Sequence, residues 1–137
     1  MKFKNLGSGD SGNSCFGKKW VSKTCPEIEA LGSLDELNSL LGLIRNQKIS
    51  QGFKRVVFDI QQNLFIIQTI VASTLFGKKI KEFPEVKILE IEKNIQEYSN
   101  RVGQIDKFIV PGTDSVSAWL DYARAIARRV ERKTLLI

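Results

Sequence analysis

The sequence predicts an all-α fold, an antiparallel helical bundle of about four long helices, and three observations predict it. Apolar residues recur at helical spacing in four separate stretches. Glycine and proline gather between those stretches more than within them. No alternating pattern is long enough to suggest paired strands. At 137 residues the chain is read as one domain, residues 1–137, large enough for a real core.

Residues 5–17 hold four glycines and three serines, which argues for a loop rather than a helix or a strand interior. Such a loop can turn several backbone N–H groups toward one anion, and Lys18, Lys19 and Lys23 add positive charge beside it. It is not a P-loop, because no Gly-Lys-Ser/Thr follows at the required spacing. The bundle is expected over residues 24–137. Thr24-Cys-Pro-Glu27 has the form of a capping box, so the first helix is expected to start there. Ile28, Leu31, Leu34, Leu37, Leu41 and Ile44 then carry it to about Asn46. Asp35 stands near that apolar stripe, where a carboxylate needs a cationic partner.

A second helix is expected from about Phe53 to Phe76. Its later half is apolar on nearly every side, as in a central helix or one at a subunit interface. Gly77 and the lysines after it are expected to end it. A third helix opens at Pro84-Glu85 and runs to about Arg101-Val-Gly103, with Val86, Leu89 and Ile95 at helical spacing. Residues 104–112 connect it to a fourth helix from about Thr113. At about 100° per residue, Val116, Leu120, Ala123, Ala127 and Val130 share one side of this last helix. Arg124, Arg128 and Glu131 border that side, joined by Asp121 and Arg132. Such a stripe is either a solvated face laced with i,i+3 and i,i+4 ion pairs or an anion site built on arginine.

Bulk composition narrows the chemistry. Net charge is +6 and the isoelectric point is near 9.4, which favours an anionic partner. There is no histidine, so Ser-His and Cys-His catalysis and imidazole-bound zinc are excluded. Two cysteines, Cys15 and Cys25, are too few for a four-cysteine zinc site or a disulfide framework and are expected to be reduced. The N-terminus lacks the apolar run of a signal peptide. The most apolar stretch, Leu64 to Phe76, is shorter than a span of roughly 20 residues, so a cytoplasmic chain with no membrane partner is expected.

Three separated blocks resemble the ATP:cob(I)alamin adenosyltransferases of the propanediol-utilisation type. Gly9-Asp10-Ser11-Gly12 followed by Val21-Ser-Lys23 is similar to that family's Gly-Asp-x-Gly loop and Val-x-Lys. Glu29-Ala30-Leu31-Gly32-Ser33-Leu34-Asp35-Glu36-Leu37-Asn38 is similar to its Glu-Ala-x-Gly-x-x-Asp-Glu-Leu-Asn. Phe108-Ile-Val-Pro-Gly112, and then Ala123-Arg-x-x-x-Arg-Arg-x-Glu-Arg132, resemble its Phe-Ile-Leu-Pro-Gly and Arg-Arg-Ala-Glu-Arg helix.

The resemblance implies transfer of the 5′-deoxyadenosyl group of ATP to cob(I)alamin, with release of triphosphate. It implies ATP and cobalamin as substrates, Mg2+, a homotrimer with sites between subunits, and a possible reductase partner. The packing implied is ferritin-like and up-down. Residues 1–23 become a nucleotide-binding loop, with Gly9, Asp10, Ser14 and Lys23 on the triphosphate and magnesium and no metal ligand assigned to a side chain. Arg128 and Glu131 are implied to contact ATP, with Arg128 and Lys23 carrying the catalytic role. Phe108 is implied to lie under the corrin ring, and Asp35 to pair with Arg124 across the subunit interface.

Departures from the pattern are Leu6, Ser8 and Ser14 where threonines are usual, Glu27 for arginine, Thr113 for glycine and Asp121 for histidine. The family bundle has a fifth helix after the Arg-Arg-x-Glu-Arg segment, and the sequence ending at Ile137 is expected to lack it. Two other classes stay open: a non-catalytic cobalamin- or ATP-binding paralogue, and a basic helical nucleic-acid binder. The second is disfavoured because the basic residues lack aromatic stacking partners and share their face with Asp121 and Glu131.

Overall fold

A computed structural model describes residues 7, 9–77 and 82–137. Among the described residues, four helices follow a short hairpin: β1 (Asn13–Phe16), β2 (Lys19–Ser22), α1 (Pro26–Arg45), α2 (Gln51–Thr74), α3 (Glu85–Val102) and α4 (Ser115–Thr134). The expected helical bundle is present, and each helix lies within a few residues of its expected place. Leu6, Ser8 and the lysines Lys78 and Lys79 after Gly77 fall outside the described residues.

The hairpin corrects the reading of residues 5–17 as loop throughout. β1 pairs antiparallel with β2 in the register Asn13↔Ser22 to Phe16↔Lys19, leaving Gly17 and Lys18 as the turn. Gly17 has φ +62°, which a two-residue turn with glycine first accommodates. Four paired residues per strand gave too little alternation to see, and the glycines lie at the turn and the base rather than inside the strands.

The start of α1 is also corrected. Its N-cap is Cys25, and no side chain caps it. Ser22 Oγ lies 2.8 Å from Thr24 Oγ1 and accepts the Thr24 N–H, so the threonine is engaged before the helix begins. Pro26 at the first turn has no N–H to satisfy, which makes a side-chain cap less necessary. In α2, Ser50 caps the N-terminus through the Phe53 N–H. In α4, Asp114 and Ser117 form a reciprocal capping box.

The core is built by α1, α2 and α4. Ala30, Leu34, Leu37, Leu40, Leu41 and Ile44 of α1 pack with Val57, Leu64 and Val71 of α2 and with Ala123, Ile126 and Val130 of α4. Leu34, Ile44 and Val57 have the largest fully buried side chains. By length and composition α2 would pass for a membrane span, its mean hydropathy reaching 1.3 over an 18-residue window. It also buries Asn63 and donates from Gln61 Nε2 to the Asn38 carbonyl at 2.9 Å, as a bundle helix does. α3 is peripheral and buries no residue among those described. It meets α2 in an edge-to-face contact of Phe53 with Tyr98, whose ring centroids are 5.7 Å apart. Its Val86, Leu89 and Ile95 are exposed.

Candidate functional site

Backbone bonding folds the glycine-rich loop back onto the hairpin base. The Lys23 N–H donates to the Gly12 carbonyl at 2.9 Å, and the Asp10 N–H donates to the Gly7 carbonyl at 3.1 Å. Gly7 and Gly12 take φ +81° and +79°, a region that L side chains rarely enter. The loop therefore passes close over Lys23: a Cβ added at Gly9 would stand 3.2 Å from Lys23 Nζ and 3.4 Å from the Asn13 carbonyl oxygen. Asp10 is exposed beside them, and Ser14 stands on β1 opposite Val21. Gly9, Asp10 and Lys23 are thus gathered in one small loop of backbone donors, one ammonium and one carboxylate.

The tip of the hairpin is anchored to the end of α2. Lys19 Nζ donates to the Leu75 carbonyl at 2.7 Å, which satisfies one of the free carbonyls a helix end leaves. Gly17 packs against the Phe76 ring, where an added Cβ would lie at 3.6 Å. The hairpin, the start of α1 and the end of α2 therefore share one end of the bundle.

The C-terminal half of α4 runs to that same end. Lys133 Nζ donates to Glu29 Oε2 at 2.6 Å, and Arg129 forms an ion pair with Glu36, so α4 crosses α1 antiparallel over this stretch. The Lys133 bond and charge hold the Glu29 carboxyl below its ordinary range. Sequence reasoning passed over these two pairs. Their only early signal was Glu29 and Glu36, seven apart on α1, and Arg129 and Lys133, four apart on α4.

Arg128 and Glu131 pair with each other one turn apart, both exposed. Arg124 Nε donates to Asp121 Oδ1 at 3.3 Å, and Arg132 Nη1 to the Arg128 carbonyl at 3.1 Å. Within one chain the charged stripe is therefore laced with i,i+3 pairs that leave the guanidinium groups solvent-facing. Asp35 does not meet Arg124 in the single chain. It is exposed rather than set toward the core, because its position on α1 falls just past the buried Leu34. Phe108 projects fully into solvent from the segment between α3 and α4, so no other predicted site residue is brought to it. Among the described residues, no group of three or more carboxylates, thiols or imidazoles converges to hold a metal.

A sequence model of the cobalamin adenosyltransferase family matches residues 5–137. The chain is 35% identical over 129 residues to the corrinoid adenosyltransferase PduO of Salmonella typhimurium, covering 92% of this chain and 38% of that protein. It is 30% identical to a corrinoid adenosyltransferase of Citrobacter freundii, covering 91% of this chain and 73% of that one. The chain thus spans about two fifths of the length of the PduO relative and about three quarters of the shorter one.

Among solved structures, a variant PduO-type ATP:corrinoid adenosyltransferase from Lactobacillus reuteri, complexed with cobalamin and ATP, superposes with a TM-score of 0.84. That match has 30% identity and covers 95% of this chain and 73% of that one. A second variant of that type, complexed with ATP, superposes with a TM-score of 0.83 over 99% of this chain and 77% of that one. A glycine loop closed over a lysine, a basic helix returning to the same end and a match over nearly the whole sequence agree: the chain belongs to the cobalamin adenosyltransferase family.

Proposed function

We propose that this chain transfers the 5′-deoxyadenosyl group of ATP to cob(I)alamin. The observation that carries the reading is the closure of the Gly9–Gly12 loop over Lys23 in a chain of this family. Cobalt(I) of the substrate supplies an electron pair to C5′ of ATP. The C5′–oxygen bond breaks, and its pair leaves with the triphosphate. No protein nucleophile and no general base take part, which suits a chain without histidine.

The protein's share is to hold ATP and to stabilise the charge that accumulates on the leaving group. Lys23, and the backbone N–H groups around Gly9, Asp10 and Ser14, lie where a triphosphate can be cradled. Arg128 offers a guanidinium fork that trades its helix partner Glu131 for phosphate oxygens. Magnesium would arrive on the phosphates and lie beside the same loop, where Gly9, Asp10, Ser14 and Lys23 meet the triphosphate. Bound there, magnesium would add positive charge to the leaving triphosphate.

Phe108 reaches far enough into solvent to meet a corrin ring held partly by another copy. The exposed Asp35 and the solvent-facing Arg124 suit a pairing between copies in a homotrimer. A cytoplasmic site of action and a reductase that supplies the cobalt(I) state complete the reading. The test is an anaerobic assay with ATP, magnesium and chemically reduced cobalamin, following decay of the cobalt(I) spectrum and release of triphosphate. Decay that depends on ATP, with stoichiometric triphosphate, is expected. Binding of ATP or cobalamin without turnover would instead make the chain a non-catalytic paralogue.

A further inference from the structure

The β1–β2 hairpin decides where Lys23 stands. Its register runs from Phe16↔Lys19 beside the turn to Asn13↔Ser22 at the base. The Lys23 N–H then donates to the Gly12 carbonyl at 2.9 Å, which continues the same register by one more pair. Gly9 lies so close over that pair that an added Cβ would stand 3.2 Å from Lys23 Nζ. Lys19 and Val21 share one face of β2, and Lys23 comes next in that alternation. The closed loop over Lys23 is therefore only as well ordered as the ladder that leads to it.

A two-stranded hairpin of this length is marginal in water by itself and has to be held from outside. Its base runs covalently into α1 through Pro26. Its tip is held by Lys19, whose Nζ donates to the Leu75 carbonyl at 2.7 Å, and by Gly17, which lies against the Phe76 ring. Leu75 is the C-cap of α2, and the last turn of that helix has no basic side chain of its own. The Lys19 ammonium thus brings the cation that the negative end of this helix lacks. Lys19 forms no ion pair among the described residues, so no carboxylate competes with the carbonyl for it.

We propose that Lys19 is a positioning residue for the nucleotide. By latching the hairpin tip to the end of α2 it keeps the strands in register, and the register keeps Lys23 and the Gly9–Gly12 loop in their closed arrangement. Four residues of extended chain, about 14 Å, separate Lys19 from Lys23, and Lys19 acts through that length rather than on the phosphates. The inference rests on the proposed function for the identity of the anion, and on the hairpin geometry for the latch.

The experiment uses the full chain with three variants: Lys19→Met, Lys19→Arg and Phe76→Ala. Equilibrium dialysis with ATP and with inorganic tripolyphosphate reads affinity. Amide hydrogen exchange over residues 13–23 reads the order of the hairpin, and initial rates separate KM from kcat. Lys19→Met should speed exchange in both strands and raise the Kd for either anion about 3–10-fold. Its kcat at saturating ATP should stay within about twofold, because bound phosphate can still close the loop on Lys23. Lys19→Arg keeps a cationic donor and should restore both readings. Phe76→Ala removes the other tip contact without changing charge, and should shift exchange and affinity in the same direction.

The proposal is overturned if Lys19→Met leaves affinity unchanged, whether or not the hairpin exchanges faster. It is also overturned if Lys19→Met weakens binding while hairpin exchange stays at the parent rate and Phe76→Ala is silent; Lys19 would then touch the phosphates directly. A parent that binds ATP without turnover sinks the adenosyltransferase reading alone, and the dialysis and exchange arms still decide the latch. A parent that binds neither ATP nor tripolyphosphate overturns both.

Discussion

Replacing Gly9 by alanine tests the loop with a single methyl group. The added Cβ would lie 3.2 Å from Lys23 Nζ, inside comfortable carbon–nitrogen contact, and 3.4 Å from the Asn13 carbonyl oxygen. The tighter neighbour is the end of a flexible side chain, so the ammonium moves by a few tenths of an ångström while the backbone stays. Folding stability should change by less than about 0.5 kcal/mol, as for other surface substitutions. Lys23→Ala removes a charge-assisted contact to phosphate, worth about 1.5–3 kcal/mol or roughly 10–150-fold in ATP affinity. Displacing the ammonium instead of deleting it forfeits a fraction of this, about 3–10-fold. The assay is ATP titration at saturating cob(I)alamin, with thermal melts run in parallel. In the Lys23→Ala background the Gly9→Ala penalty should vanish, because the methyl group then has no ammonium to displace. Full additivity in that cycle, or a large loss of Tm from Gly9→Ala alone, would refute this account of the loop.

Leu34→Ala removes one of the most deeply buried side chains, where α1 meets the rest of the core, and should cost about 2–5 kcal/mol; urea denaturation with an unchanged m-value reads it. Asp114 accepts N–H bonds from Ser117 and Val116, which hold its carboxyl below the ordinary carboxylate range. Since the folded pKa is the lower one, this stabilisation is present above the unfolded value near 3.9 and is lost as pH falls through the folded value. Asp114→Asn should keep the cap and flatten that acid limb, whereas Asp114→Ala should weaken α4 at neutral pH, both visible in pH-dependent melts. Asp35→Asn and Arg124→Gln, if the two groups meet between copies, should each weaken self-association in sedimentation, and the double variant less than the sum; strict additivity, or a stable monomer at micromolar concentration, would rule the pairing out.

Legibility in the sequence followed how far each signal reached along the chain. The helices repeat every 3.6 residues for 18 to 24 residues, so their places were readable to within a turn. The hairpin has only four residues per strand, and its turn hides in a glycine-rich segment whose composition argues for loop. At Thr24 a capping pattern was present and unused, since Ser22 engages the threonine first and Pro26 opens the helix. α3 shows the opposite failure: its apolar spacing forms a helix but does not decide what that helix packs against.

The basic helix shows why a site needs more than its local pattern. Arg124, Arg128 and Glu131 stood out because their spacing is local, and the single chain ties them to their own helix, where exposed i,i+3 pairs contribute little. The bonds that seat α4 against α1 come from Arg129 and Lys133, whose partners lie 93 and 104 positions away. Seen this way, the stripe divides by role. Arg129 and Lys133 fix the helix, and so leave Arg124 and Arg128 at a defined place on its free side. Weak pairing there is an advantage, because a guanidinium loosely held by Asp121 or Glu131 is readily transferred to a phosphate or to a carboxylate of another copy. Glu36→Gln should therefore lower ATP affinity only by loosening α4. That loss should shrink when a stabilising osmolyte restores the packing, whereas the loss caused by Arg128→Ala should persist. Equal rescue of both variants would show that Arg128, too, acts only through the position of the helix.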